Sequence, residues 1–160
     1  MKRLKMRHKF QDDIDEAIRH LQIADHMTYV TFPIVNENRL LLKIFEETHK
    51  SIIYCINAIL NYEFLYKRIK LYKTREDNLN TFLTKCAKNY QLSNEQIKKI
   101  KKIIQISKSR KESAMEFVRQ EKIVIMSNNL QTQTLNLIQI KEYLLLAKEI
   151  LMKINTKMNK

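Results

Sequence analysis

The stretch IIYCINAILNYEFLY, residues 52–66, decides the fold class. Apolar and aromatic side chains fall on nearly every side of a 3.6-residue helix here, the pattern of a helix buried in the middle of a bundle. Toward the N-terminus the stripe continues through Phe45 and Leu41, so this helix is expected to start near Asn36 or Asn38 and to run past Tyr66. Further upstream, Ile14, Ala17, Ile18, Leu21, Ala24 and Thr28 form a second helical stripe, with Asp12 and Asp13 at the positive end of its dipole. Pro33 is expected to end that helix, because the residue before proline is pushed out of helical space. The segment YVTFPIVNEN (29–38) is then an extended connector.

Downstream, the central helix leaves through a basic, aromatic stretch, YKRIKLYKTR (66–75), into a short helix at about 78–89 that turns Leu79, Phe82, Leu83 and Cys86 inward. Ser93 followed by Gln96 is a capping box ahead of Ile97, Ile100, Ile103 and Ile104, and this helix fades between Ser107 and Ser113. The period then changes. KIVIM (122–126) and QTQTL (131–135) flank SNNL, and β-branched residues around an Asn pair predict a hairpin. Asn136 with Gln139 caps a last helix through Ile138, Tyr143, Leu144, Ala147, Leu151 and Ile154. The expected fold is all-α, a single antiparallel helical bundle of about five helices over residues 11–160. A small β-hairpin is inserted near 122–135, and a basic arm over residues 1–10 precedes the bundle.

The 160 residues contain no Gly, one Pro and no Trp. Without Gly there is no dinucleotide fingerprint, no phosphate-cradling loop and no nucleophile elbow. Cys55 and Cys86 are too far apart for a CxxC pair and read as reduced core thiols. No motif calls for a cofactor or a metal. MKRLKMRHKF leads directly into QDDIDEA with no apolar run, and no apolar stretch reaches the roughly 20 residues that span a bilayer. A soluble, cytoplasmic protein without a transmembrane segment is expected, and not an enzyme of a recognisable class.

Thirty Lys and Arg against seventeen Asp and Glu leave a formal charge of +13. Such a surplus attracts polyanions, although a coding bias toward Lys, which far outnumbers Arg here, produces the same total. The distribution is patterned. Lys2, Arg3, Lys5, Arg7 and Lys9 open the chain without an acid, and Asp12, Asp13, Asp15 and Glu16 then reverse the sign. On the helix capped by Ser93, Lys98, Lys101, Lys102 and Lys108 share one face, widened by Lys99, Arg110 and Lys111. A row of flexible ammoniums suits a repeating phosphate backbone and is blind to sequence, and an ordinary solvated face is the alternative. Lys67, Arg68 and Lys70 beside Tyr66 and Tyr72 mix cations with stacking surfaces as single-strand binders do, or else complement the dipole of the helix they end. The expected partner is the RNA or DNA backbone. The alternative is a homodimer or protein partner docked on an apolar helix face, since a chain of this size need not cover the 52–66 helix alone.

Three smaller constellations stand apart. Glu46 and His49 make Glu-x-x-His, half of a di-iron bundle motif, with no second half in the sequence. Asp25 falls within the apolar stripe of its helix and needs a donor, either from the connector or within a polar pocket of Asp25, His26 and Tyr29. Arg19 and His26 lie seven residues apart, on one face and about 10.5 Å apart along the axis.

The Arg19…His26 spacing resembles the degenerate Arg-x(4–6)-His signature of HEPN-domain ribonucleases, small helical bundles that act on RNA without a metal. That resemblance implies Arg19 on the phosphate and His26 on the proton or the ribose hydroxyl, although in that family the motif lies late in the bundle. Over most of its length the chain also resembles a set of small uncharacterised archaeal helical proteins. The resembling stretches are ADHMTYVTFPIVNENRLLLKI, INAILNYEFLYKRI and SAMEFVRQEKIVI. The likeness implies a dedicated fold in which EFVRQEKIVI is a defined hairpin region, with Arg119 and Lys122 beside Glu116 and Glu121 as a partner surface, and it brings no activity with it.

Overall fold

The computed structural model describes residues 7–159, a mostly helical chain with a small three-stranded antiparallel sheet. In order these are α1 (Lys9–His26), α2 (Phe32–Val35), α3 (Leu40–Leu65), α4 (Arg75–Thr81), α5 (Asn94–Lys111), β1 (Ser113–Arg119), β2 (Lys122–Ser127), β3 (Thr132–Leu135) and α6 (Leu137–Met158). Residues 1–6 of the basic arm lie outside the described residues. Arg7, just inside them, pairs with Asp12 and Asp15.

The central helix is what its pattern requires. Ile52, Cys55, Ile56, Ala58, Ile59 and Leu60 of α3 are all buried, covered by this chain's own α1, α5 and α6. The need for a second copy to cover that helix therefore disappears. One continuous core joins α3 to Ile100, Ile103 and Ile106 of α5 and to Leu144, Ala147, Ile150 and Ile154 of α6. Each Ile or Leu among them contributes roughly 1.5–3 kcal/mol on removal from water.

Pro33 does not end the first helix. Between α1 and α2 the chain makes one wide π-helical turn, Met27–Thr31, closed by the Phe32 N–H to the Met27 carbonyl. A proline ring clashes with the carbonyl four residues before it, and the widened turn relieves that clash, so the helix passes through Pro33 instead of stopping. It ends at Asn36, whose φ of 51° is the left-handed conformation that closes a helix. The expected extended connector shrinks to the few residues before α3. A second π-turn, Phe82–Cys86, prolongs α4 in the same way, so the helical segments among the described residues number five.

With no glycine available, other residues take the left-handed positions. Lys67 (φ 60°) closes α3, with Arg68 N–H bonding the Glu63 carbonyl and Lys67 N–H the Phe64 carbonyl, both at 3.0 Å. Gln120 (φ 50°) and Glu121 (φ 62°) form the two-residue turn between β1 and β2, where Arg119 pairs with Lys122. The sheet is thus one strand larger than the expected hairpin. β2 is central, and it turns Ile123 and Ile125 into the core beside Leu135 of β3. Both capping boxes, Ser93 with Gln96 and Asn136 with Gln139, form as the sequence predicts.

Candidate functional site

The α5 surface follows from its capping and its isoleucines. Ser93 accepts the Gln96 N–H at 3.1 Å and fixes the start of the helix. Burial of Ile100, Ile103 and Ile106, with Ile97 and Ile104 packed against the core, then rolls the opposite side outward. Lys98, Lys101, Lys102 and Lys108 are exposed on it, and Lys111 follows at its C-terminal end. Among the described residues none of these five lies within ion-pair distance of a carboxylate. Arg110 differs: only 18% of its side chain is exposed, and it sits 3.2 Å from Glu46 and 3.1 Å from Glu116. Two carboxylates already compensate that guanidinium, so it belongs to the join between α3, α5 and β1 and not to the lysine face.

The 66–75 stretch divides in the same way. Arg68 pairs with Glu63, and its guanidinium lies 5.1 Å from the centre of the Tyr66 ring and 5.7 Å from that of Tyr62. Lys67, Lys70 and Tyr72 are exposed. Glu63 is itself buried and accepts the Tyr90 hydroxyl at 2.9 Å. Burial and that carboxylate push the Tyr90 phenol upward. Gln96 meets Glu149 at 2.6 Å, and Lys153 meets Gln96 at 3.0 Å. These contacts gather the end of α3, the start of α5 and the end of α6 at one end of the molecule.

Arg19 and His26 are not brought together. Arg19 pairs with Glu16 at 2.9 Å and approaches Nε2 of His20 at 3.2 Å. His26 instead lines a depression of about 320 Å³ with Asp25, Tyr29 and Lys148, and Arg19 is not part of it. Asp25 finds its donor on α6, Lys148 at 2.6 Å, and not on the connector. The Lys141 and Lys148 ammoniums lie 5.4 and 5.6 Å from the centre of the Tyr29 ring. Asp25, His26 and Tyr29 thus do share one small polar depression, between α1 and α6.

Glu46 and His49 point to different partners. Glu46 goes to Arg110, and His49 packs parallel to Phe45 with Ser107 at 3.5 Å. Burial, with Lys111 and Lys50 nearby, lowers the His49 pKa to about 4. No group of three His, Cys, Asp or Glu among the described residues is placed to hold a metal ion. The thiols of Cys55 and Cys86 are buried, and burial raises both, Cys86 to about 11. No helix among the described residues is long and apolar enough to cross a membrane.

The seam between α1 and α3 is absent from the sequence reading. The buried face of α1 is Asp13, Ala17, His20 and Ala24, continued by Thr28 in the π-turn, one step around from the expected stripe, and Ile18 is 38% exposed. Ala17 and Ala24 let the helices approach closely, and Ser51 donates to the Ala17 carbonyl at 2.7 Å. Asp13 accepts from Lys9 at 2.8 Å and from Asn61 at 2.7 Å. His20 Nδ1 lies 2.5 Å from Glu47, which also takes Lys43 at 3.1 Å. Burial works against the Glu47 carboxylate, but the hydrogen bonds from His20 and Lys43 outweigh it and hold its pKa below the usual range. The one available signal was the pair Asp13 and His20, seven residues apart on the line of the two alanines. The chain has no match among protein-family models, curated proteins or solved structures.

Proposed function

We propose that this chain is a cytoplasmic antiparallel bundle that binds the phosphate backbone of nucleic acid, RNA foremost, through the exposed face of α5. One observation carries the reading: Lys98, Lys101, Lys102 and Lys108 stand in a row without carboxylate partners among the described residues, while Arg110 and Arg68 are paired internally. An ammonium held in an ion pair releases no counterion when a phosphate arrives, whereas an unpaired one does. The lysines sit on a rigid helix at i, i+3 and i+4 spacings, so several phosphates of one strand are reached together. Lysine in place of arginine gives this face no bidentate grip on base edges, and binding is blind to sequence. Converting Lys98, Lys101 and Lys102 together to Glu tests the assignment, since all three are exposed and the core is untouched. Loss of RNA binding with an unchanged melting temperature is expected, and unchanged affinity would overturn it.

A second reading, a dimeric scaffold, is favoured by a different observation. Ile138, Leu145 and Met152 recur every seven residues along α6 and are 71%, 55% and 68% exposed. Lys141 and Lys148 flank the stripe on one side and Glu142 and Glu149 on the other, so a parallel pairing of two α6 helices sets opposite charges across the seam. Light scattering separates the two readings: the scaffold requires a dimer that Leu145→Glu dissociates.

A further inference from the structure

Where α3 ends against the start of α1, the chain FLYKRIKLYK (64–73) carries apolar residues and cations with no acid among them. Its side chains border an open groove of about 660 Å³, whose apolar walls are Phe10, Phe64, Leu65, Ile69 and Leu71. Phe64 is 50% exposed, and Leu65, Leu71 and Tyr72 are exposed beside it. A contiguous apolar surface left in water signals something that covers it. Lys67 lines it, and Lys70 and Lys73 follow on the same stretch of chain, all three exposed and none within ion-pair distance of a carboxylate among the described residues.

Three occupants compete for such a surface. A second copy of this end would set lysine against lysine. Single-stranded nucleic acid needs free aromatic faces, yet the Tyr66 ring already has Tyr62 at 4.8 Å and the Arg68 guanidinium at 5.1 Å. Of the groove's walls, Leu65, Ile69 and Leu71 are aliphatic and the Phe10 ring already has Tyr62 at 5.0 Å and His8 at 5.9 Å, so Phe64 alone among them presents an open ring, too little for a run of stacked bases. An anionic bilayer satisfies both halves of the site: acyl chains take the apolar walls, headgroups take the lysines, and tyrosines suit the boundary between them. We propose that the 64–73 edge and its groove dock this protein on the surface of an anionic lipid membrane, without spanning it. The site is separate from the α5 lysine face and does not depend on the nucleic-acid reading.

The chain has no tryptophan, so one introduced tryptophan is an unambiguous reporter. Leu71→Trp and, as a control on a distant exposed surface, Ile138→Trp are each titrated with vesicles of phosphatidylcholine alone and with vesicles containing phosphatidylserine. A blue-shifted emission for the position-71 reporter with the anionic vesicles only, and none for position 138, is expected. Replacing Lys67, Lys70 and Lys73 by Gln in the Leu71→Trp background should weaken vesicle partitioning tenfold or more. Circular dichroism establishes that each variant is folded, and the substituted positions are exposed. No shift at position 71, or the same shift at both positions, would overturn the proposal. So would a shift driven by single-stranded RNA and not by vesicles, which would return this edge to nucleic acid, or by raised protein concentration alone, which would assign it to a second copy.

Discussion

His49 gives the structure a pH dependence that a single substitution isolates. The ring is largely buried against Phe45, with Lys50 and Lys111 close by, and its pKa falls to about 4 from an ordinary 6.5. Between those two values the unfolded chain binds a proton that the folded one refuses, so stability falls as pH is lowered through this window. At about 1.4 kcal/mol per pH unit, going from about pH 7.5 to about pH 4.5 removes roughly 2.5 kcal/mol through this one group. That is a large fraction of the roughly 5–15 kcal/mol by which a domain is stable. Glu47, whose pKa is lowered, loses stability at acid pH as well, but it does so equally in a protein without His49. His49→Gln keeps a polar group facing Ser107 and removes the titration. Urea unfolding of both proteins across the pH range gives the comparison. The stability of the wild type relative to the variant should fall by roughly 2–3 kcal/mol from neutral pH to about pH 4.5. Parallel curves, within about 0.5 kcal/mol, would refute the assignment of a buried neutral imidazole.

Two further outcomes are expected from the fold. Glu47→Ala leaves His20 and Lys43 without their carboxylate and should cost about 3 kcal/mol, while His20→Leu combined with Glu47→Leu should recover most of it, because apolar replacement of a buried pair is far cheaper than breaking it. Equal losses in both variants, read by thermal unfolding, would contradict the seam. Lys67→Gly and Leu130→Gly fill left-handed positions and should each gain roughly 0.5 kcal/mol, the relieved strain exceeding glycine's added unfolded-state entropy. Glycine at Lys102, inside α5, should instead cost about 1 kcal/mol.

The sequence made the helices legible wherever a strong hydrophobic period met an orthodox cap. α3 is apolar nearly all round and could be only a core helix, and Ser93 and Asn136 marked two helix starts to the residue. Legibility failed where backbone geometry departs from the common repertoire. Pro33 reads as a stop, but a π-turn before it removes the clash that makes proline a stop. Periodicity alone does not announce β1, because its turn is Gln120-Glu121, with none of the Asn or Gly that ordinarily signal positive φ, and because Met115 and Val118 of that strand face outward; the resemblance over EFVRQEKIVI is what implies a hairpin there. The α1 face was misplaced because hydropathy counts Asp13 and His20 as surface residues. Their hydrogen-bond partners, Asn61 and Glu47, are more than twenty residues away and belong to another helix. Of the candidate site, the α5 lysine row was visible in the spacing alone. The internal pairing that sets Arg110 and Arg68 apart from it needed three dimensions, because Glu46 lies 64 residues from Arg110.

The most direct test of the proposed function is the salt dependence of binding to a generic single-stranded RNA, followed by fluorescence anisotropy. Four unpaired lysines engaging four phosphates predict a log–log slope of roughly −3, at about 0.7 per phosphate on a single strand, falling to within about 1 of zero when Lys98, Lys101 and Lys102 are Glu. No binding at low salt, or a slope that the triple variant shares, would contradict a phosphate-binding face on α5.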